Sequence, residues 1–364
     1  MPIPVASALA VARKPEPELA ADAVREALSC CRADIAQSVL LFLSDDFARH
    51  TAQAAVQAAS RAAHCLQVAG CTAPGVFTDQ DWVLDRPAAC ALVFGANVTL
   101  GAPAGGDEPL LTLALPAAAT SAWLEGPAQR FGILPTDGAA QNPGRVWGHG
   151  KLSPEGRFEA TLTGVRAAIG AAQGLRILTP PLAVSQVSGY DVRRLGEQPA
   201  LATLLRELPL ELRSQKQLPL HLLFAGVIVG DPQGAVDQGR YTPVSLITVN
   251  GEENSVTLAT QLAPGSHLFW GMRSAVAAER DMRVLVSTLA ARLQDEPDFG
   301  LMFSCMGRGP YFFGGEDRDL AAVKERFPGM PLAGVYGSGE IGHIGGGNRI
   351  LHNTAVLALF RAHV

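Results

Sequence analysis

The stretch that decides the fold is GLMFSCMGRG, at residues 300–309. Its first part, 300–305, is a continuous apolar run, which is typical of a strand covered on both faces of a sheet. The run ends in a glycine-rich turn at 306–309. Because ligands bind beyond the carboxyl ends of strands in open α/β sheets, this turn is the first candidate for a functional site.

The segments around this run follow a fixed order. A helix is predicted at about 316–327, and apolar runs follow at 331–336 and 353–360. The same order of strand, helix, strand and strand is predicted near the other end of the chain, at 38–43, 48–63, 66–70 and 88–94. An amphipathic helix at 18–32 precedes this first series.

The two series agree in spacing as well as in order. The aligned positions are Ser44 with Cys305, Gly70 with Gly334, Gly75 with Gly339, and the runs 89–94 with 355–360. We interpret the agreement as an internal duplication. The alternative is that two βαβ-like units look alike because such units generally do. The sheet topology stays open among separate sheets, a stacked αββα sandwich and one continuous sheet.

The pattern predicts an α+β (mixed α/β) fold. It consists of two related halves, each a mainly antiparallel or mixed sheet flanked by helices, with a βαββ unit repeated. The length of 364 residues fits two domains of about 150 residues each. We expect a frayed or disordered segment at 1–17, an N-terminal domain at 18–195 and a C-terminal domain at 196–364.

Composition and charge exclude several classes of function. The chain has 29 Lys and Arg against 34 Asp and Glu, a net charge of −5, so nucleic acid is not an expected partner. Six cysteines without a CxxC pair fit neither a zinc site nor a disulfide scaffold. No apolar run approaches about 18 residues, so we expect no membrane span. A cytoplasmic location is expected, with no metal and no cofactor.

A literal GxGxxG motif occurs at 337–342, after a predicted strand. Such a motif binds dinucleotides when it opens a helix whose N-terminus holds the phosphates. Here the next residues read HIGGGN, which is too rich in glycine for a helix. We therefore do not expect dinucleotide binding, and the glycines either approach another ligand or form the turns of a wide hairpin.

Four side chains with chemical potential lie in the last quarter of the chain. Arg308 could offer a bidentate fork to a carboxylate or phosphate, beside Cys305 at the end of its strand. The alternative is that Cys305 is a small buried apolar group and Arg308 is solvated. Cys305, Glu340 and His352 also allow a nucleophile, orienter and base, although we expect no catalytic residues and no enzyme.

Several motifs together resemble those of FIST-domain proteins, with both a FIST N-terminal and a FIST C-terminal half. The C-terminal motifs are CMGRG at 305–309, AG at 333–334 with GEIG at 339–342, and HNTAV at 352–356. The weaker N-terminal motifs are FLS at 42–44 and GCT at 70–72. The resemblance covers residues 18–360. It departs from the family pattern at 241–249, which lacks arginine, and at Arg273, which is followed by Ser274.

The resemblance implies a sensory module of signal transduction that binds small ligands such as amino acids or small carboxylates. It is similar to modules of bacterial signalling proteins and of a eukaryotic F-box receptor. Because the sequence shows no F-box-like leader, we expect the output to pass through a separate signalling protein. The oligomeric state is left open. The expected ligand-binding residues are Ser44, Thr72, Cys305, Gly307, Arg308, Gly309, Gly339, Glu340, His352, Asn353 and Thr354.

Three hypotheses about function follow. The first is a ligand-binding sensor whose glycine-bearing loops converge on one pocket. The second is a protein-interaction scaffold, or adaptor, and the third is a cysteine-dependent enzyme that uses Cys305. The first hypothesis requires the side chains of Cys305, Arg308, Glu340 and His352 to face a common hollow.

Overall fold

The computed structural model describes residues 4–103, 108–136, 143–215 and 217–363. The strands in this part of the chain are β1 Val5–Val11, β2 Ser38–Ser44, β3 Val68–Ala73, β4 Gly75–Thr78, β5 Trp82–Leu84, β6 Ala88–Phe94, β7 Thr99–Gly101, β8 Leu110–Ala114, β9 Arg130–Leu134, β10 Val146–Gly148, β11 Lys151–Leu152, β12 Arg157–Thr163, β13 Val165–Ala172, β14 Leu175–Ile177, β15 Leu182–Ser188, β16 Asp191–Leu195, β17 Gln198–Pro199, β18 Leu223–Ile228, β19 Tyr241–Asn250, β20 Ser255–Leu258, β21 His267–Arg273, β22 Phe299–Cys305, β23 Leu332–Gly337, β24 Gly339–Ile344, β25 Gly347–Leu351 and β26 Ala355–Ala362.

The helices in the same ranges are α1 Glu18–Cys31, α2 Arg49–Ala63, α3 Ser121–Leu124, α4 Ala200–Glu207, α5 Leu210–Arg213, α6 Ala275–Leu293 and α7 Arg318–Arg326. Single 3-10 turns occur at Pro116–Ala118, Leu220–Leu222 and Met306–Arg308. These helices and sheets confirm the predicted α+β fold. The chain divides into two compact units, one of residues 1–172, 282–343 and 347–364, and one of residues 173–281 and 344–346.

The first unit is built on two sheets with the same arrangement of four strands. One has the order β1-β6-β2-β3-β10-β11 and the other the order β13-β26-β22-β23-β4-β5. In each, the first three strands are antiparallel neighbours and the last of the four is parallel to the third. Leu41 pairs with Gly70, and Met302 pairs with Gly334 at the equivalent register position.

These two sheets stack face to face, with helices on their outer faces. The inner face of one sheet contacts that of the other through aromatic pairs, Phe42 with Phe303 at 6.4 Å and Phe94 with Phe299 at 4.9 Å between ring centroids. Alternate residues of the same strands face outward, against α1 and α2 on one sheet and α6 and α7 on the other. Of the topologies left open by the sequence, the stacked αββα sandwich is the one observed.

A third sheet of the first unit has the order β25-β24-β9-β8-β12-β7. Its strand β9 places Phe131 against Phe303 and Phe360 of the sandwich, at 6.4 and 6.1 Å between ring centroids. The GxGxxG stretch contributes β24 to this sheet rather than a phosphate-binding turn, as expected from the glycine-rich sequence after it.

The second unit is a curved sheet that closes on itself. Its strands follow the order β14-β21-β15-β16-β20-β19-β18, and β18 also pairs with β21. The apolar core inside includes Leu201 and Leu204 of α4 and the fully buried Trp270. The indole Nε1 of Trp270 donates to Thr203 Oγ1 at 2.8 Å, so the one polar atom of this ring is satisfied within the core.

Two predictions about domain limits are corrected. Residues 1–17 were expected to be frayed, but Val5–Val11 forms strand β1, paired along its length with β6. Residues 1–3 lie outside the described part of the chain. The compact units do not divide at 195/196 either, because the second unit begins at 173, directly after β13, and continues to residue 281 within α6. Pairing of β13 with β26, far along the chain, holds β13 in the first unit.

Candidate functional site

The turn after β22 carries a buried ion pair. Arg308 is 1% exposed and Asp319, at the start of α7, is 0% exposed. Arg308 Nε donates to Asp319 Oδ2 at 2.6 Å and Nη2 donates to Oδ1 at 3.1 Å, while Nη1 donates to the main-chain oxygen of Ala172 at 2.8 Å. The alternative in which Arg308 is solvated is therefore wrong, because its fork is bound to an internal carboxylate.

Two further acids lie near this pair. Asp317 caps the N-terminus of α7 by accepting from the Leu320 amide at 2.9 Å, and it also accepts a hydrogen bond from the Tyr336 hydroxyl. Burial, followed by the negative charge of Asp319, raises the pKa of Asp317 to about 6. Burial and the charge of Asp317 likewise raise the pKa of Tyr336 well above its ordinary value.

Glu340 is the second of these acids. Its side chain is fully buried, Oε2 accepts from the Thr354 amide at 3.3 Å, and Oε1 has no hydrogen-bond partner among the described residues. Burial raises the pKa of Glu340 well above its ordinary value, although the Thr354 amide and the charge of Arg308 oppose that rise.

The predicted site residues of the C-terminal section come together only in part. The Cys305 amide donates to the main-chain oxygen of Thr354, at 3.0 Å, which links Cys305 to the residue that contacts Glu340. His352 lies at the exposed edge, where its Nδ1 contacts the main-chain oxygen of Ser338 at 3.1 Å. The thiol, guanidinium and carboxylate groups are buried, whereas the imidazole is exposed. These four groups therefore do not face the common hollow that the first hypothesis requires.

The glycines of the site have packing roles. An added Cβ at Gly309 would lie 3.2 Å from the Tyr336 ring, and one at Gly339 would lie 3.3 Å from His352 Cε1. Gly339 pairs with Leu134 in extended strand conformation. Asn353 adopts the left-handed conformation, with a φ of 55°, at the turn before β26. Gly307 belongs to the 3-10 turn that positions Arg308.

The two predicted residues of the N-terminal section have different surroundings. Ser44 Oγ donates to Asp46 Oδ2 at 2.8 Å and accepts from the Ala88 amide at 3.1 Å. Thr72 Oγ1 accepts from the Arg145 amide at 2.8 Å. These hydrogen bonds hold Ser44 and Thr72 within their own sheet and its flanking loops. None of them reaches the buried group that we call the Arg308 cluster, which consists of Arg308, Asp317, Asp319, Tyr336, Glu340 and Thr354.

A cavity of about 200 Å³ lies where the sandwich meets the third sheet of the first unit. Its lining contains apolar and polar residues, and we call the apolar residues its floor and the polar residues its rim. The floor consists of Pro109, Phe131, Ile169, Gly170, Ala171, Gly342 and Val356, and the rim of Gln129, Arg130, Arg292 and His343. This volume is below the range of about 300–1,000 Å³ typical of drug-sized ligands, so the cavity suits a small molecule.

The sequence analysis did not identify the residues that complete the Arg308 cluster and the cavity. Asp317 and Asp319 had one detectable signal, an acidic pair in the first turn of the helix predicted at 316–327, where carboxylates cap amides and favour the helix dipole. Gln129, Arg292 and His343 come from three separate parts of the chain, and no local pattern relates them.

Within the described residues, no group of three or more His, Cys, Asp or Glu side chains is arranged to hold a metal ion. No helix in the same ranges is long and apolar enough to cross a membrane.

Comparison with known proteins shows similarity to proteins without an assigned function. An uncharacterized protein of Mycobacterium bovis is 31% identical over 238 residues, covering 65% of this chain and 61% of that protein. An uncharacterized protein of Mycobacterium tuberculosis is 32% identical over 200 residues, covering 55% of this chain and 52% of that protein. The chain thus spans between half and two thirds of the length of these relatives.

A shorter similarity connects the chain to a eukaryotic protein. F-box only protein 22 of Pongo abelii is 40% identical over 54 residues, which are 15% of this chain and 13% of that protein. The family model of the FIST C domain matches residues 200–343, a range that includes Arg292, Arg308 and Glu340. Residues 200–343 therefore carry a FIST C domain, a family associated with sensing in signal transduction.

Proposed function

We propose that this protein is a sensory module that binds a small molecule in the 200 Å³ cavity of its first unit. The observation that carries the proposal is the form of this cavity, an apolar floor with a polar rim. Such a combination buries the body of a ligand and orients its polar group. Arg292, Gly342 and His343 of the lining also belong to the segment that matches the FIST C domain.

The Arg308 cluster supports the proposal as a neighbouring element. Gly342 of the cavity and Glu340 of the cluster lie in the same strand, β24, while Val356 of the cavity and Thr354 of the cluster are close in the chain. A shift of β24 or of the start of β26 on ligand binding would therefore change the surroundings of Glu340. Sensing requires that the ligand bind two states of the protein with different affinity.

The remaining parts of this proposal concern the whole chain. A FIST N-terminal-like part would accompany the FIST C domain, and the two stacked sheets of the first unit would be related by internal duplication. The equivalent strand order of the two stacked sheets supports this relationship. A separate signalling protein would receive the output. Six cysteines that form no disulfide within the described residues support a reducing compartment such as the cytoplasm.

A cysteine-dependent enzyme has less support. The hydrogen bonds of His352 and Glu340 go to the main chain of Ser338 and Thr354, so neither bond connects a base to the Cys305 thiol. An interaction scaffold stays the alternative if the cavity takes no ligand. A binding experiment therefore distinguishes the sensor from the scaffold.

The experiment is a thermal-shift screen of the full chain with small amino acids, carboxylates, amides and alcohols. A ligand that binds only the folded state at 100 times its Kd adds about 2.7 kcal/mol to the free energy of unfolding, so the melting temperature rises. Ala171→Leu places a larger side chain at the floor of the cavity and should abolish the shift. Ala202→Leu, the same change on the exposed face of α4, should leave the shift unchanged.

No shift with any compound would overturn the proposed function. A shift that survives in Ala171→Leu would place the ligand elsewhere and would overturn the assignment of this cavity. The unliganded melt of both variants provides the control for folding.

A further inference from the structure

The rim of the cavity contains a guanidinium without a carboxylate partner among the described residues. Arg292 lies in the last turn of α6 and is exposed. Its Nη1 donates to the main-chain oxygen of Ile169 in the edge strand β13, at the long distance of 3.4 Å. Most of its donors therefore stay available, and a guanidinium presents them in a fork that fits a carboxylate.

The tautomer of His343 at the same rim is fixed by Asn348. Asn348 Nδ2 donates to the main-chain oxygens of three residues, Leu124, Gly126 and Ala128, at 2.8–3.2 Å. Its Oδ1 accepts from the Arg130 amide at 2.8 Å, so this oxygen is an acceptor.

His343 Nδ1 lies 3.2 Å from the same Oδ1 and must donate to it. In the neutral ring Nε2 then keeps its lone pair, and protonation makes it a second donor. The ring is thereby oriented by a side chain that is itself held by four main-chain groups. A ligand at the rim would meet an oriented imidazole rather than a freely rotating one.

The charges of the lining favour an anion over a zwitterion. Among the described residues that line the cavity, Arg130, Arg292 and His343 can carry positive charge, and none is Asp or Glu. The charge of Arg130 is offset by Glu159, at 2.8 Å, which leaves Arg292 as the lining arginine whose charge no described carboxylate offsets. A ligand ammonium group would lie beside Arg292 without a carboxylate to bind it, at a cost in desolvation.

We infer that the ligand is a small organic monocarboxylate with an apolar body, which lies on Phe131, Ala171 and Val356 with its carboxylate at Arg292. This inference rests on the proposed function and narrows its ligand class. We expect the protein to bind a carboxylic acid more tightly than the 2-amino acid with the same carbon skeleton, because the rim offers hydrogen-bond donors and no carboxylate to accept from an ammonium group.

The test uses three sets of compounds that share a skeleton within each set. The acids are butanoate, 4-methylpentanoate and phenylacetate, and each is compared by titration calorimetry with its neutral amide and its 2-amino acid. At least one acid should bind the full chain, and at least tenfold more tightly than its amide and amino acid. Arg292→Gln should lower the affinity for that acid at least tenfold. Arg283→Gln, on the same helix but outside the cavity lining, should leave the affinity unchanged.

The possible failures are separable from those of the proposed function. Binding of an amide or amino acid as tight as that of the acid, with loss in Ala171→Leu, overturns the ligand class and leaves the small-molecule sensor intact. The ligand class is likewise overturned if only neutral or zwitterionic compounds of the thermal-shift screen bind. If no compound binds at all, both the ligand class and the proposed function are overturned.

Discussion

Arg308 and Asp319 form a bidentate ion pair inside the first unit, with both side chains almost completely buried. The pair connects the turn after β22 to the first turn of α7. Because desolvation of two charges is costly, a buried pair of this kind adds little net stability over an apolar replacement of both partners. Removal of one partner is different, since it leaves the other charge in a medium of low polarity.

Asp319→Ala should therefore destabilise the protein strongly. The expected loss is about 3–5 kcal/mol in the free energy of unfolding, measured by urea denaturation. The exposed pair between Arg283 and Glu325 provides a control, and Glu325→Ala should change the free energy of unfolding by less than about 1 kcal/mol. Equal effects of the two substitutions would contradict the burial of the Arg308–Asp319 pair.

The raised pKa of Asp317 predicts a pH dependence of stability. A carboxyl that titrates at about 6 in the folded state and near 3.8 in the unfolded state binds more protons when folded over this range. Stability contributed by its neutral form is present below pH 4 and is lost as the pH rises through about 6. The full shift corresponds to about 3 kcal/mol.

Asp317→Asn removes this titration and keeps an oxygen to cap α7. The difference between the free energy of unfolding of this variant and that of the wild type should shift progressively in favour of the variant as the pH rises from 4 to 7. Asp317→Ser, which also retains a capping oxygen, should show the same slope. If wild type and both variants have parallel pH profiles, the carboxyl of Asp317 does not titrate in this range.

Gly70 and Gly334 are predicted to be sensitive to the smallest substitution. An added Cβ would lie 1.7 Å from the main-chain oxygen of Leu41 at Gly70, and 2.2 Å from that of Met302 at Gly334. Either alanine variant should lose at least about 1–3 kcal/mol in unfolding free energy, because the backbone must move. Gly347→Ala, where a Cβ meets open space, should be close to neutral in the same urea titration. Tolerance of alanine at Gly70 or Gly334 would show that the parallel strands can separate there.

Asn348 is predicted to couple stability to ligand binding. Its side chain bonds the main-chain groups of Leu124, Gly126, Ala128 and Arg130, which form the loop that carries Gln129 to the cavity rim. Asn348→Ala leaves these groups without that partner, at a cost of about 1–3 kcal/mol. Hydrogen exchange at the Arg130 amide should accelerate, and the thermal shift produced by a cavity ligand should decrease. Unchanged exchange at Arg130 would contradict this role.

The sequence predicted the elements whose signal is local. Ser38–Ser44 and Phe299–Cys305 are continuous apolar strands buried on both faces, and helices α1 and α7 have a clear apolar stripe. The aligned pair of Gly70 with Gly334 also occupies equivalent register positions. Strand β1 was missed because VASALAV contains small residues without regular alternation, and its partner β6 lies far along the chain.

The candidate site was predictable only in its local motifs. The sequence grouped Cys305, Arg308, Glu340 and His352, because each lies near the end or start of a predicted strand, and it named Thr354 only through the family motif. It could not indicate that Asp319 binds the guanidinium, since the choice between a ligand and an internal carboxylate depends on tertiary packing. The cavity residues Arg292 and His343 meet only through the crossing of α6, β13 and β24.

The sheet that joins β4 and β5 to β23 also has a consequence for synthesis of the chain. Strand Gly75–Thr78 pairs with Leu332–Gly337, and Val165–Ala172 pairs with Ala355–Ala362. A nascent chain on the ribosome must therefore expose the early strands until residues 332–362 have been translated. Release of a shortened product that lacks β23 and β26 would leave these edges open to pairing between chains, so premature termination should yield aggregates rather than a stable fragment.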